Sequence, residues 1–410
     1  MINNWFKNIG PGPLIAAAFI GPGTVTVCTL AGVNFGFALL WAMVLSIVAT
    51  IVLQEMSARL GIITQKGLSE IIRTEIKNPV FKFFIILLVL SAIVIGNAAY
   101  EAGNISGGIL GLEAIIGNPS FKMGEFSINI LSVIVGVFAF GLLYLGNYKV
   151  LEKTLIGLVV LMSLAFLITA ILTKPNVLEM LKGALFPKLP KDSLLLVIAL
   201  IGTTVVPYNL FLHAALVKEK WHSKNDLNFA KNDTIIAVVL GGLVSMCIII
   251  SAASIQSTDI KSASDLAKGL EPLFGGFAKY FLAIGLFAAG ITSAITAPLA
   301  AAYVASGCLG WSTNMKTNKF RAVWMCILVL GILFSSLGIK PIDIIKFAQI
   351  ANGVLLPIIA GILIWIMNKQ TILGSYKNTT KQNIFAVLIL GISIFLSIAT
   401  MNKVFNLNLI

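Results

Sequence analysis

Long uncharged apolar runs recur along the whole chain. Ile9–Gln54 carries no charge and is long enough for two membrane helices, with a turn signal at Asn34-Phe35-Gly36. Phe83–Tyr100 is followed by one acid, Glu101, and then by a second uncharged stretch, Ala102–Leu112. These three pieces read as one long helix with an acid inside it. Further runs are Phe126–Tyr148, Thr154–Thr173, Ser193–Val217, Thr234–Thr258, Tyr280–Met315, Ala322–Ile339, Phe347–Asn368 and Gln382–Asn402. About 20 apolar residues are needed to cross the hydrocarbon core, so the pattern predicts eleven spans. Tyr280–Met315 counts once, because Pro298 is its only punctuation and no charged loop divides it. The loop Lys174–Asp192, with Pro175, Pro187 and Pro190, reads as an ordered extracellular crossover.

Composition sharpens this into an all-α polytopic membrane protein with one transmembrane domain, 1–410. Of 410 residues, 58% are hydrophobic and 11% charged, against about 25% charged in soluble domains. That excludes an ordinary soluble enzyme and a disordered regulator. The net charge of +13 forms no basic cluster, so it reports loop topology rather than a nucleic-acid partner. Only Lys7 precedes the first apolar stretch, and Pro-Gly pairs interrupt it, so it is not a cleaved signal. With the N-terminus cytosolic and the C-terminus outside, the cytosolic loops receive most of the Lys and Arg. The expected setting is the cell membrane, with a bilayer partner and a monomeric chain. Cys28, Cys247, Cys308 and Cys326 all lie in apolar runs without CxxC or Cys/His spacing, and read as small buried hydrophobes. No cofactor is implied. The spans hold no paired-Asp, HExxH or Ser-His set, which argues against an intramembrane enzyme.

Two spans are interrupted at mid-depth. The first contains Ile20-Gly21-Pro22-Gly23-Thr24 and the sixth Val205-Val206-Pro207-Tyr208-Asn209. Proline removes a backbone donor and clashes with the preceding turn; in lipid, the freed groups must find partners inside the protein or a wet cavity. Interruptions at matching places in two halves point to an inverted-repeat transporter. The repeats would be 9–173 and 193–368, with 382–402 an added helix.

Read with their neighbours, these residues resemble the NRAMP family of metal-ion transporters, over nearly the whole chain. The stretch GPGPLIAAAFIGPGTVTVCTLAGVNFGFALLW is similar to that family's first helix and its approach to the second. QEMSARLGIITQKGLSEIIR is similar to the end of its second helix, VVPYNLFLHAAL to its sixth, and Gln349 sits where the family has a tenth-helix glutamine. The resemblance implies a LeuT-like fold and proton-coupled secondary transport. Three ligand positions depart from it. The family's Asp-Pro-Gly-Asn motif has Gly21 and Thr24 at its metal-binding positions here. Its Met-Pro-His motif has Val206 and Tyr208. The third-helix acid corresponds to Glu101, with Asn104 where a second acid is usual, and His213 matches a sixth-helix histidine on the proton route.

Hard cations normally need carboxylates and softer ones thiolate, thioether or imidazole. Gly21, Thr24 and Val206 offer one hydroxyl. A family-type transition-metal site therefore looks abolished, and only a largely hydrated, Mg²⁺-like ion could be served by Glu101. The half-helix that begins at Gly23-Thr24 instead presents N–H groups and a positive dipole end, suited to a carboxylate. Thr203, Tyr208, Asn209, Gln349 and Asn352 can add neutral hydrogen bonds. The expectation from the residues is thus a small polar organic solute, such as an amino acid or a 5-oxoproline-like cyclic acid, carried with H⁺ on Glu101 and His213. The alternative is a divalent metal transporter (Mg²⁺ or Mn²⁺) with a rebuilt site. A non-transporting sensor is the third possibility. Asn97, Tyr100 and Asn104 share a helical face bordering Glu101 and read as pathway lining or interhelical hydrogen bonds. Glu55 and Arg59, four apart, read as a structural ion pair. His222 reads as solvated, and Gly107-Gly108 with Gly285 and Gly290 as close helix packing.

Overall fold

The computed structural model describes residues 20–117, 119–123, 126–146, 149–255 and 260–406. Lys7 and the first part of the opening apolar run, including GPGPLIAAAF, lie outside them. The helices of eight or more residues are α1 Pro22–Phe35, α2 Leu40–Thr64, α3 Leu68–Glu75, α4 Pro79–Ile116, α5 Ile130–Leu145, α6 Lys149–Leu172 and α7 Val177–Leu185. They continue as α8 Leu194–Thr204, α9 Pro207–Lys220, α10 Leu227–Ala252, α11 Ala278–Leu309, α12 Asn318–Ser335, α13 Pro341–Met367 and α14 Thr380–Phe405. Among the described residues, nine helical segments are long and apolar enough to cross a bilayer. α1 and α5, of 14 and 16 residues, are shorter.

Local chemistry explains the boundaries. α1 ends where Gly36 takes a positive φ of 55°, the conformation glycine adopts without a Cβ penalty; this is the predicted turn. α4 starts on Asn78, whose side chain accepts from Phe81 N, with Pro79 in the first turn, where its missing N–H costs nothing. It then runs unbroken through Glu101, as expected from the two flanking apolar runs. α11 likewise passes through Pro298 as one helix.

The run Phe126–Tyr148 is corrected at its start. Phe126–Asn129 is a strand, pairing antiparallel with Ser120–Met123, and the helix begins only after Asn129, whose side chain caps Leu131 N. The Lys174–Asp192 crossover is ordered: it carries α7, capped by Asn176, and its Lys188 carbonyl accepts from Trp41 Nε1 at 2.8 Å.

α4 forms the centre, packed against α11, α12 and α13. Large apolar side chains such as Phe83, Phe84, Val137, Leu240 and Val387 point outward, where a bilayer would cover them. Cys28, Cys247 and Cys308 are buried as expected, but Cys326 is exposed on α12. Apolarity alone does not separate a core face from an outward one. His222 is exposed.

Candidate functional site

The sixth-span break is present as drawn from sequence. α8 closes with Val205 N donating to Ile201 O at 2.8 Å, and α9 opens with Asn209 N donating to Val206 O at 3.0 Å. Between them Val206 is extended, at φ −76° and ψ 122°, as a residue before proline prefers. In the first span the described part begins at the break. Gly21 is extended and Pro22 opens α1.

The two interruptions meet. Thr24 on α1 and Thr203 on α8 share a hydroxyl–hydroxyl hydrogen bond of 2.9 Å. Gln349 on α13 lies directly over Gly23, where any Cβ would collide with its amide, and its backbone carbonyl abuts Gly202. Glycine at 23 therefore serves close approach. Tyr208, in the first turn of α9, meets Tyr100 of α4 edge-on, with ring centroids 5.5 Å apart. Asn352, one turn beyond Gln349, faces Gly96 of α4. Thr24, Thr203, Tyr208, Asn209, Gln349 and Asn352 are each no more than 1% exposed. Neither α1 nor α9 has an acidic residue in its first turn. Among the described residues, no group of three or more His, Cys, Asp or Glu side chains could hold a metal ion.

Many of these buried polar atoms lack a partner. Both side-chain atoms of Asn209, Oε1 of Gln349, Nδ2 of Asn352 and Oγ of Ser293 make no hydrogen bond. A buried, unsatisfied polar group costs about 1–3 kcal/mol, so a cluster of them at two helix breaks marks a place where something else supplies the partners.

Glu101 is fully buried but lies to one side of the break. Its side chain packs on Gly331 of α12, its Oε2 accepts from Asn104 Nδ2 at 3.3 Å, and its Oε1 has no partner. His213, one turn beyond Asn209 on α9, is also fully buried. Its Nδ1 lies 2.7 Å from Gln54 Oε1 of α2, while Nε2 is unpartnered. With that amide orientation Nδ1 donates and Nε2 keeps a free lone pair. Asn97 is tied down: its Nδ2 donates to Ala297 O of α11 at 2.9 Å, an interhelical bridge rather than an open lining group.

Sequence reasoning missed Gln54 and Ser293. Each is one polar residue in an apolar span, and only the packing of distant helices shows what it faces. Gly107 and Gly290 are close-packing positions, as expected: a Cβ at 107 would enter the Pro22 ring, and one at 290 would lie 2.6 Å from Gly108 N.

Residues 12–403 match the family model described as natural resistance-associated macrophage protein-like. The chain is 27% identical to the divalent metal cation transporter MntH of Bacillus subtilis, over 96% of this chain and 92% of that one. It is 28% identical to the protein of the same name from Klebsiella pneumoniae, over 95% and 92%. Among solved structures it is similar to the Eremococcus coleocola manganese transporter (TM-score 0.78, 20% identity, 98% and 87% covered). It is also similar to MhsT in complex with L-phenylalanine (TM-score 0.59, 16% identity, 95% and 97% covered). Both share the LeuT-like fold.

Proposed function

This chain belongs to the natural resistance-associated macrophage protein-like family, a family of multi-pass membrane transporters, and from that membership we propose that it carries a divalent cation of the hard, Mg²⁺-like kind. The relatives named as divalent metal cation transporters support this cargo class better than the organic solute expected from the residues alone. The observation that carries the reading is the donor set at the break. It is made of neutral oxygens, from Thr24, Thr203, Asn209 and Gln349, with Gly21 and Val206 where the family's acid and thioether would stand. Neutral oxygens with no carboxylate among them fit only an ion that keeps its water and is held through it, because Mg²⁺ dehydrates reluctantly; softer ions gain little without sulfur or imidazole.

Proton coupling is assigned to Glu101, the acid buried at mid-span, and to the open Nε2 of His213. An ionisable group inside a span is costly and functional by default. The remaining architecture is proposed as two inverted repeats, 9–173 and 193–368, with 382–402 added. The N-terminus is cytosolic, the C-terminus outside, and the protein a monomer in the cell membrane.

One observation favours a second cargo. The helices that open at Pro22 and Pro207 both start at a break and carry no acid in their first turns, and such helix N-termini suit a carboxylate. Proteoliposome flux separates the two. The first reading expects saturable Mg²⁺ uptake with lumenal acidification, and loss of the acidification in Glu101→Gln. Uptake of small carboxylates with no divalent flux would replace it by the second.

A further inference from the structure

We infer that Ser293 of α11 is a cargo-contacting residue, and that its pairing with Gly21 sets which cargo the site accepts.

Ser293 is 1% exposed, and its Oγ makes no hydrogen bond. A hydroxyl inside a helix normally bonds the carbonyl one turn back. Its neighbours on α11 do so: Thr292 Oγ1 donates to Ala288 O at 3.0 Å, and Thr296 Oγ1 to Thr292 O at 2.8 Å. Ser293 has the same opportunity and does not take it. Its oxygen points instead at the first-span break, where a Cβ on Gly21 would stand 3.0 Å away.

The hydroxyl is also held in place. One turn before it, Gly290 lies against Gly108 and the Asn104 carbonyl of α4. One turn after it, Ala297 O accepts from Asn97 of the same helix. These two anchors fix α11 on α4 and aim Ser293 across at α1. Such a rigid mount is what a binding group needs.

A side chain at 21 and the hydroxyl at 293 therefore compete for one space. With glycine at 21, the oxygen offered to the cargo is the serine's. It is neutral and able to accept a hydrogen bond from a coordinated water. An aspartate at 21 would put a carboxylate there but crowd Ser293. The inference deepens the divalent-cation reading and rests on it for the cargo's identity, not for the pairing itself.

The test uses purified full-length protein and three variants: Ser293→Ala, Gly21→Asp and Gly21→Asp/Ser293→Ala. Ser293→Ala should lower Mg²⁺ flux at least about fivefold, from the loss of one hydrogen bond of roughly 1 kcal/mol, with no fall in Tm. Mn²⁺ titration, read by calorimetry, should give an apparent Kd at least about tenfold tighter in the double variant than in Gly21→Asp, since only there has the carboxylate room. Equal Mn²⁺ affinity in the single and double variants would overturn the pairing. Wild-type flux in Ser293→Ala would overturn the contact. Should wild-type protein carry an organic acid and no Mg²⁺, the cargo reading fails by itself. The Ser293→Ala comparison is then made on that acid, and the Mn²⁺ comparison is unaffected. If Gly21→Asp does not fold, Gly21→Ala replaces it: its Cβ would stand 3.0 Å from the Ser293 Oγ and should cut flux in the serine background more than in Ser293→Ala, and an equal loss in both backgrounds would contradict the inference.

Discussion

Two buried polar regions of this protein are built in opposite ways. At Arg59 on α2 the guanidinium is bonded on all three nitrogens. Nε and Nη2 donate to the two oxygens of Glu55 at 3.0 and 3.1 Å, Nη1 to the Tyr376 carbonyl and Nη2 to Asn378 Oδ1, both at 2.8 Å. At the meeting of α1, α8, α9, α11 and α13, Asn209, Gln349, Asn352 and Ser293 keep unused hydrogen-bonding capacity. Both regions cost desolvation. Only the first recovers it from the protein, and it ties α2 to the segment leading into α14. On the proposed reading, the second recovers it from the cargo. The lesson is that a closed polar node reports architecture, while an open one at a helix break reports cargo.

Substitutions in the two regions should therefore separate stability from transport. The largest effect is expected for Asn209→Leu. It removes two unpartnered polar atoms, so Tm should hold or rise, while cargo flux falls about ten- to hundredfold, the value of one or two hydrogen bonds to a charged or hydrated ion. A large fall in Tm with unchanged flux per folded molecule would erase the distinction.

Arg59→Met should do the reverse. Breaking a mostly buried pair leaves Glu55 uncompensated and costs about 3 kcal/mol, seen as a lower unfolding midpoint, while the KM of the remaining folded protein is unchanged. A selective KM change would mean that the node belongs to the transport path.

Gly107→Val lies between these extremes. Its side chain would enter the Pro22 ring at the start of α1. Overpacking of this kind costs about 1–3 kcal/mol, and here it should also lower flux, because it displaces the break itself.

The smallest effect belongs to Asp192. The Lys403 ammonium, hydrogen-bonded at 3.0 Å, holds this carboxyl below the usual carboxylate range. A lowered folded-state pKa gives stability that is present above the unfolded value, about 4, and lost as pH falls through the lowered one. The group is exposed and screened, so Asp192→Asn and wild type should share one Tm profile from neutral pH down through about pH 4, where the carboxyl begins to protonate. A wild-type advantage in Tm at neutral pH that disappears as the carboxyl protonates below about pH 4 would mean that this contact matters more than its exposure implies.

The sequence carried some of this contrast. Pro207 at mid-span announced the break, because a missing N–H and the extended residue before it are local properties. Glu55 and Arg59 announced their pairing through helical spacing. The strand Phe126–Asn129 was hidden inside an apolar run, since hydropathy does not distinguish extended from helical backbone there. The outward face of Cys326 was hidden for a similar reason. Ser293 and Gln54 were invisible because their meaning lies in what a distant helix places opposite them. The expected cargo moved as well. Three lost ligands pointed to an organic acid, whereas the relatives' divalent-cation names and the neutral oxygens at the break support a hydrated ion.

The central claim is that the open polar groups at the break hold a hydrated divalent cation. Mg²⁺ uptake into proteoliposomes by wild type and Asn209→Leu, followed with a lumenal Mg²⁺ dye, tests it most directly. The account predicts saturable uptake by wild type and its loss in an Asn209→Leu protein of undiminished Tm. No Mg²⁺ uptake by wild type, with small carboxylates entering in its place, would contradict it.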